Sequence, residues 1–192
     1  MKELFTLSPS FHGVASGALA PPVSSTVGLR GKRATDGSAS SIPVKFAWRP
    51  QGHFLATAGT NGIVSIVDKS GKTVTHFALS TKSTPVDLVW DAHGEELAAI
   101  QADTTDVTLF DFSAKTSKTL ETSLKTPTFV QWAKQGPYLA IGDSKGNVLL
   151  YDKQSKKKVP IVGKHTKAIT CGAWSAEAKL ALGSTDNTLS LR

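Results

Sequence analysis

Apolar and polar residues alternate along this chain in short segments, and the succession of segments repeats. In Val44-Lys45-Phe46-Ala47-Trp48 and Val86-Asp87-Leu88-Val89-Trp90 an apolar residue falls at every second position, which is strand periodicity. Thr128-Phe129-Val130-Gln131-Trp132 and Thr170-Cys171-Gly172-Ala173-Trp174 follow the same pattern. The four tryptophans, Trp48, Trp90, Trp132 and Trp174, stand 42 residues apart. A fixed period of this size is the mark of a repeat architecture.

Each Trp is followed by a turn and a second short strand. These strands are expected at Phe54 to Thr57, Glu96 to Ile100, Tyr138 to Ile141 and Lys179 to Leu182. Three of the turns carry a glycine (Gly52, Gly94, Gly136), available where φ must be positive, and the fourth, Ser175 to Ala178, has none. A third strand follows at Ile63 to Val67, Val107 to Phe110 and Val148 to Tyr151, each ending in an aspartate: Asp68, Asp111 and Asp152. A fourth strand, such as Thr73 to Leu79 or Lys158 to Val162, completes the unit. Long helical patterns are absent. Four antiparallel strands in about 42 residues match the blade of a WD40 β-propeller. The expected fold is therefore all-β, with blades near residues 42–84, 85–126, 127–167 and 168–192, the last incomplete.

Val67-Asp68, Phe110-Asp111 and Tyr151-Asp152 occupy the place of the Trp-Asp dipeptide, and none keeps its Trp. The fourth repeat carries the fuller signature, with His165 ahead of its first strand and Asp186 ahead of its third. In WD40 blades the matching His and Asp join a buried hydrogen-bonded network, so His165 and Asp186 are expected to pair. Propellers close with about four to eight blades. The fourth repeat stops at Arg192, two residues before its expected Asp. The pattern therefore reads as about three and a half to four blades of a larger, truncated ring, taken as seven-bladed. The outer faces of the first and last blades would be apolar, an aggregation hazard for an isolated fragment.

The chain ahead of the repeats differs. Residues 1–7 suit a short strand, one that could close the last blade. Residues 8–41 are rich in Ser, Gly, Pro and Ala, with a single acidic residue, Asp36. Such a segment buries too little to offset its ordering entropy and reads as a disordered insertion. It lacks the amphipathic face of an organelle transit peptide.

Composition narrows the chemistry. Apolar residues make up 40% of the 192 and charged residues 19%, which is globular, and no stretch approaches the roughly 18–20 apolar residues that span a bilayer. One cysteine, Cys171, excludes an internal disulfide and a Cys-rich zinc site. It is expected to be a buried, inert thiol between core positions of a first strand. Gly71-Lys72-Thr73 ends like a phosphate-binding loop, but Ile66 stands where that loop needs glycine. There is no Gly-x-Ser-x-Gly elbow, and the five histidines have no metal-ligand spacing. No enzyme activity, cofactor or metal is expected. The net charge of +7 favours an acidic partner. Lys153, Lys156, Lys157, Lys158, Lys164 and Lys167 flank the fourth strand of the third blade and form the candidate contact patch: a basic rim for an acidic protein segment or anionic lipid. Aromatic residues do not interleave with the lysines, so nucleic acid is not expected.

The stretch Val159-Pro160-Ile161-Val162-Gly163-Lys164-His165-Thr166-Lys167, with Ile169 to Gly172, Trp174 and Gly146 to Tyr151, resembles the N-terminal propeller of the WD-repeat protein nineteen family. Residues 42–192 follow the family's first blades in order, and residues 8–41 depart from it. The family provides large subunits of the ciliary intraflagellar transport A complex. What the resemblance implies is a non-catalytic scaffold at the cilium or flagellum, the basal body and the cytoplasm. Its implied role is in retrograde transport, cilium assembly and the import of membrane receptors. Implied partners are the other subunits of that complex, a tubby-like adaptor, the membrane surface and receptor cargo. The competing reading is a generic WD40 adaptor, either a ubiquitin-ligase substrate receptor or a vesicle-coat subunit.

Overall fold

The computed structural model describes residues 25–29, 42–161 and 165–192. These residues form strands joined by turns, with no helix among them. The first sheet contains β1 (Ser25–Leu29), β2 (Ile42–Trp48), β3 (Phe54–Ala58), β4 (Ile63–Asp68) and β5 (Thr73–Ala78) in chain order. The second contains β6 (Pro85–Trp90), β7 (Glu96–Gln101), β8 (Val107–Asp111) and β9 (Thr116–Leu120). The third contains β10 (Pro127–Trp132), β11 (Tyr138–Asp143), β12 (Val148–Asp152) and β13 (Lys158–Ile161). The fourth has three strands, β14 (Ile169–Trp174), β15 (Leu180–Ser184) and β16 (Leu189–Leu191). All pairing is antiparallel between neighbours in sequence, the meander of a propeller blade.

The register repeats with the sequence. Trp48 faces Leu55, Trp90 faces Leu97, Trp132 faces Leu139, and Trp174 faces Leu180. Blades two, three and four share a β-bulge early in the first strand, between Pro85 and Asp87, Pro127 and Phe129, and Ile169 and Cys171. A bulge adds one residue and sharpens the local twist.

The hydrophobic core lies between blades, in three seams. Ala56, Val64 and Ile66 of blade one pack with Leu88, Trp90 and Phe110 of blade two. The opposite face of blade two, with Ile100, Val107 and Leu109, packs on Val130, Trp132 and Tyr151 of blade three. Phe129, Ala140 and Val148 of blade three meet Ile169, Leu180 and Leu182 of blade four. Strand β7 lies between two seams and is buried at all six positions, so strict alternation gives way there to Leu97-Ala98-Ala99-Ile100.

Close approach within the third seam depends on glycine. A Cβ on Gly142 of β11 would sit 2.7 Å from Ile169 Cβ of β14, backbone-anchored on both sides. Gly142→Ala is therefore expected to destabilise the chain by about 1–3 kcal/mol through overpacking. The check is a urea titration in which the midpoint falls and the slope is unchanged.

Two sequence expectations meet the structure at the N-terminus. The strand expected at residues 1–7 lies outside the described residues. Within residues 8–41, expected to be disordered, Ser25–Leu29 forms β1, and its partner is the inner edge of β2, with Val27 opposite Val44. The pairing has a backbone cause. The exposed edge of an innermost strand offers free N–H and C=O groups, and Ser-Thr-Val-Gly-Leu can use them without burying a large core of its own.

Candidate interaction surface

Because the strands are antiparallel, the turn after the first strand and the turn after the third lie at the same end of each sheet. The aspartates of the third strands close these turns. Asp68 Oδ1 accepts from the Ser70 amide at 2.8 Å, the Ser70 hydroxyl at 2.6 Å and the Lys72 amide at 3.0 Å. Asp152 accepts from the amides of Gln154 and Ser155 and, at 2.6 Å, from the Ser155 hydroxyl. Asp111 accepts from the Ala114 amide at 2.8 Å. The Ser70 hydroxyl above all, with the Lys72 and Ser70 amides, holds the Asp68 carboxyl below its ordinary value, and the Ser155 hydroxyl leads the same effect at Asp152. These carboxylates bond their own turns. The same turns leave Lys69 and Lys72, Lys115, and Lys156 and Lys157 exposed at one end of three successive blades.

The lysine patch read from the sequence does not form one surface. Lys153 turns inward and crosses to blade two. Its Nζ lies 2.9 Å from Asp91 Oδ2, 3.7 Å from Glu96 Oε2 and 4.0 Å from Glu95 Oε2, and 5.8 Å from the Trp132 ring centroid. Asp91 is 6% exposed and Glu96 3%, so both carboxylates lie in the seam. Glu96 also pairs with Lys118 at 2.7 Å. Partial burial opposes the charge on Lys153, but the hydrogen bond and charge of Asp91, joined by Glu96 and Glu95, outweigh it and raise its pKa. Lys158 donates to the Glu121 carbonyl at 2.6 Å. Lys156 and Lys157 are exposed in the β12–β13 turn, while Lys167 lies past the far end of β13. Lys164 lies outside the described residues. The physical reason for the split is the strand itself: its four residues carry the chain roughly 13 Å from one end of the blade to the other.

His165 is buried at the opposite end of blade four. Its Nδ1 lies 2.8 Å from Thr188 Oγ1 and 3.5 Å from Asp186 Oδ2, and its Nε2 lies 2.7 Å from Ser190 Oγ. Asp186 accepts from the Thr166 amide at 2.7 Å and from the Thr188 amide at 3.0 Å. The Thr188 hydroxyl donates to its Oδ1 at 2.5 Å. That hydroxyl first, then the Thr166 amide, hold the Asp186 carboxyl far below its ordinary value. His165 and Asp186 thus meet chiefly through Thr188.

The sequence reading missed a polar device that recurs at the end of the second strand. Gln101 clamps the linker ahead of blade two, with its Nε2 donating to the Thr81 and Ser83 carbonyls at 3.0 and 2.9 Å. Asp143, fully buried, accepts from the Lys125, Lys145 and Asn147 amides. Ser184 donates to the Lys167 carbonyl at 3.0 Å. The available signal was a polar residue ten or eleven positions after Trp90, Trp132 and Trp174, directly after the apolar run of the second strand.

The tryptophans link blades. Trp90 Nε1 donates to the Ala47 carbonyl of blade one at 3.1 Å, and Trp174 Nε1 to the Gln131 carbonyl of blade three at 3.2 Å. Trp132 is buried as well, with its Nε1 unpaired, whereas Trp48 is 49% exposed. The inner strands β2, β6, β10 and β14 line an open axial groove. Cys171, expected to be buried, is exposed: it shares with Ala173 the face of β14 turned away from blade three. Among the described residues no cluster of His, Cys, Asp and Glu is placed to hold a metal ion.

The repeated seams, the interblade tryptophans and the meander sheets agree with a family profile described as the WDR19 first beta-propeller, which matches residues 44–192. The chain belongs to the family of the first WDR19 propeller. It is 37% identical over 151 residues to human WD repeat-containing protein 19, covering 78% of this chain and 11% of that protein. Caenorhabditis elegans WD repeat-containing protein dyf-2 is 32% identical over 155 residues, covering 79% of this chain and 11% of the relative. Dictyostelium discoideum WD repeat-containing protein AAC3 is 30% identical over 178 residues, covering 88% and 35%. The chain thus spans about a tenth of the length of the WDR19 and dyf-2 relatives.

Proposed function

We propose that this chain is a stretch of the first propeller of an intraflagellar transport A subunit, a non-catalytic scaffold for retrograde ciliary transport, cilium assembly and the import of membrane receptors. The observation that carries this reading is the match of residues 44–192 to the WDR19 first-propeller profile, with human and nematode relatives aligned over more than three quarters of the chain. A propeller presents turns and strand edges from a rigid frame, which suits contact with several partners at once. Those partners are the other subunits of the complex, with a tubby-like adaptor, the membrane surface and receptor cargo as further ones. The setting is the cilium or flagellum, with the basal body and cytoplasm. The test is a pull-down of the tagged full-length gene product from ciliated cells, with partners identified by mass spectrometry. Recovery of transport A subunits supports the scaffold reading. Recovery of ubiquitin-ligase or vesicle-coat subunits instead retires it in favour of a generic WD40 adaptor.

Among the rim lysines, Lys156 and Lys157 are exposed and outside the seam, which supports their use against an acidic partner. Reversing both to glutamate is expected to weaken assembly or binding to anionic vesicles by roughly tenfold at low salt, with the difference shrinking as the salt concentration rises. Unchanged binding at low salt would remove the β12–β13 turn from the contact.

A further inference from the structure

The hairpins β4–β5, β8–β9 and β12–β13 join the third strand to the fourth at one end of their blades, and each closes in the same way. The Asp68 amide donates to the Lys72 carbonyl and the Asp152 amide to the Lys157 carbonyl, both at 2.9 Å, while Asp111 pairs with Thr116. The residue just ahead of the closing one has a left-handed backbone every time. It is Gly71 in blade one (φ 82°), Lys115 in blade two (φ 55°) and Lys156 in blade three (φ 57°). Glycine takes this conformation freely, and a residue with a Cβ takes it at a cost. Asparagine and aspartate offset part of that cost by bonding their own backbone, which lysine does not do. Lys115 and Lys156 are exposed, so packing does not offset it either. What the strained turn gains is an ammonium at the hairpin tip, and a local rule broken without a gain in packing points to function. The tips carry further charge. Lys69, Lys72, Lys115, Lys156 and Lys157 are exposed, and among the described residues none of them is in an ion pair. Lys72 and Lys157 supply only the smallest of the effects that lower Asp68 and Asp152. Five unpaired lysines are a large share of a net charge of +7. Blades stack face to face, so a neighbouring blade covers faces and leaves these tips open.

We propose that the three tips form one rim that holds an extended acidic polypeptide segment. It runs across blades one to three, with carboxylates facing Lys69 and Lys72, then Lys115, then Lys156 and Lys157. The occupant follows from charge and spacing. Sheets packed face to face stand about 10 Å apart and an extended chain rises about 3.3 Å per residue, so about three residues carry it from one tip to the next. Anionic lipid is drawn by lysines clustered in one segment, whereas these are spread along a line, one hairpin to a blade. The inference rests on the scaffold reading for a protein partner and deepens it by naming that partner's chemistry.

The test uses the purified full-length gene product and a fluorescein-labelled peptide of about ten residues with glutamate at every third position, followed by anisotropy. The natural protein is expected to bind it at low salt and to release it as the salt concentration rises. Lys115→Gly combined with Lys156→Gly is expected to weaken binding about fivefold, and Lys115→Arg combined with Lys156→Arg to leave it unchanged. Amide exchange in β9 and β13, read by mass spectrometry, is expected to be as slow or slower in the glycine variant, because glycine relieves both left-handed turns. That second measurement separates loss of charge from loss of structure. Faster exchange there overturns the proposal, since the lysines would then be holding the hairpins. Equal peptide binding by the natural protein and the glycine variant overturns it too. So does lysine-dependent binding to vesicles of phosphatidylserine in phosphatidylcholine without binding of the peptide, which would assign the rim to lipid. Lysine-dependent peptide binding by a protein that recovers no transport A subunits from ciliated cells retires the ciliary reading alone and supports the rim.

Discussion

Lys153→Met is expected to destabilise the chain by about 3 kcal/mol, a larger loss than a surface lysine can cause. The reason is where its partners sit. Asp91 is nearly buried and uses Oδ1 for the Glu95 and Glu96 amides at 2.7 and 3.1 Å, so Oδ2 depends on the Lys153 ammonium. Glu96 Oε2 has no hydrogen bond of its own and relies on that charge at 3.7 Å. Removing the ammonium strands negative charge in the seam between blades two and three, and Lys118 compensates only the other Glu96 oxygen. At roughly 2–4 °C per kcal/mol for a chain of this size, the melting temperature should fall by about 10 °C. Asp91→Asn in the same background is expected to restore part of the loss, so the double variant costs less than the sum of the singles. Because Lys153 has a raised pKa, the clamp is complete at neutral pH and is lost only as the pH rises through that raised value. A loss below about 1 kcal/mol would mark an ordinary surface pair and return Lys153 to the pool of lysines free for a partner.

That residue also marks where the sequence stopped being informative. The strands and their order were legible because each depends on contacts within about 42 residues and on a period that Trp48, Trp90, Trp132 and Trp174 state openly. The three seams follow from the same alternation. What joins one seam's charges is different. Lys153 meets Asp91 across 62 residues, and Arg49 donates from its Nε to the Gly94 carbonyl across 45, its guanidinium standing over Phe54 and Phe112. Neither pair has a fixed spacing, since each depends on which end of the sheet a turn occupies and how far the side chain reaches. In a linear reading Lys153 belongs with its basic neighbours, and only the sheet turns it away from them. A clue existed in the repeat alignment: the position of Glu96 is held by Phe54, Tyr138 and Lys179 in the other blades, so a buried carboxylate there required a cation. Cys171 failed for a related reason. Its strand was assigned correctly, but its burial depended on a blade against its outer face, and none of the described residues lies there.

The histidine network of blade four should behave as one unit, and this too can be measured. His165→Ala removes a buried ring bonded through both nitrogens, leaving a cavity beside Ser190 and freeing its hydroxyl inside the blade. The expected cost is about 3 kcal/mol, from lost packing together with unpaired polar groups. Asp186→Ala should also lower the melting temperature, since Thr166 and Thr188 lose their acceptor. Thr188 touches both residues, so the double variant should lose less than the two singles together. The two singles differ in their response to acid. The Thr188 hydroxyl and the Thr166 amide depress the Asp186 carboxyl in the folded chain, so its contribution is complete above the ordinary carboxylate range near about pH 4. It is lost as the pH falls through the depressed folded value. The gap between the natural chain and Asp186→Ala should therefore narrow as melting is followed from neutral pH down to about pH 2, where other acidic groups act on both chains alike. The gap to His165→Ala should follow no such acid limb, because that variant keeps the Thr166 and Thr188 bonds to Asp186. Equal narrowing in both would mean that the carboxylate is held by the ring rather than by the threonines, and the order of causes at Asp186 would have to be reversed.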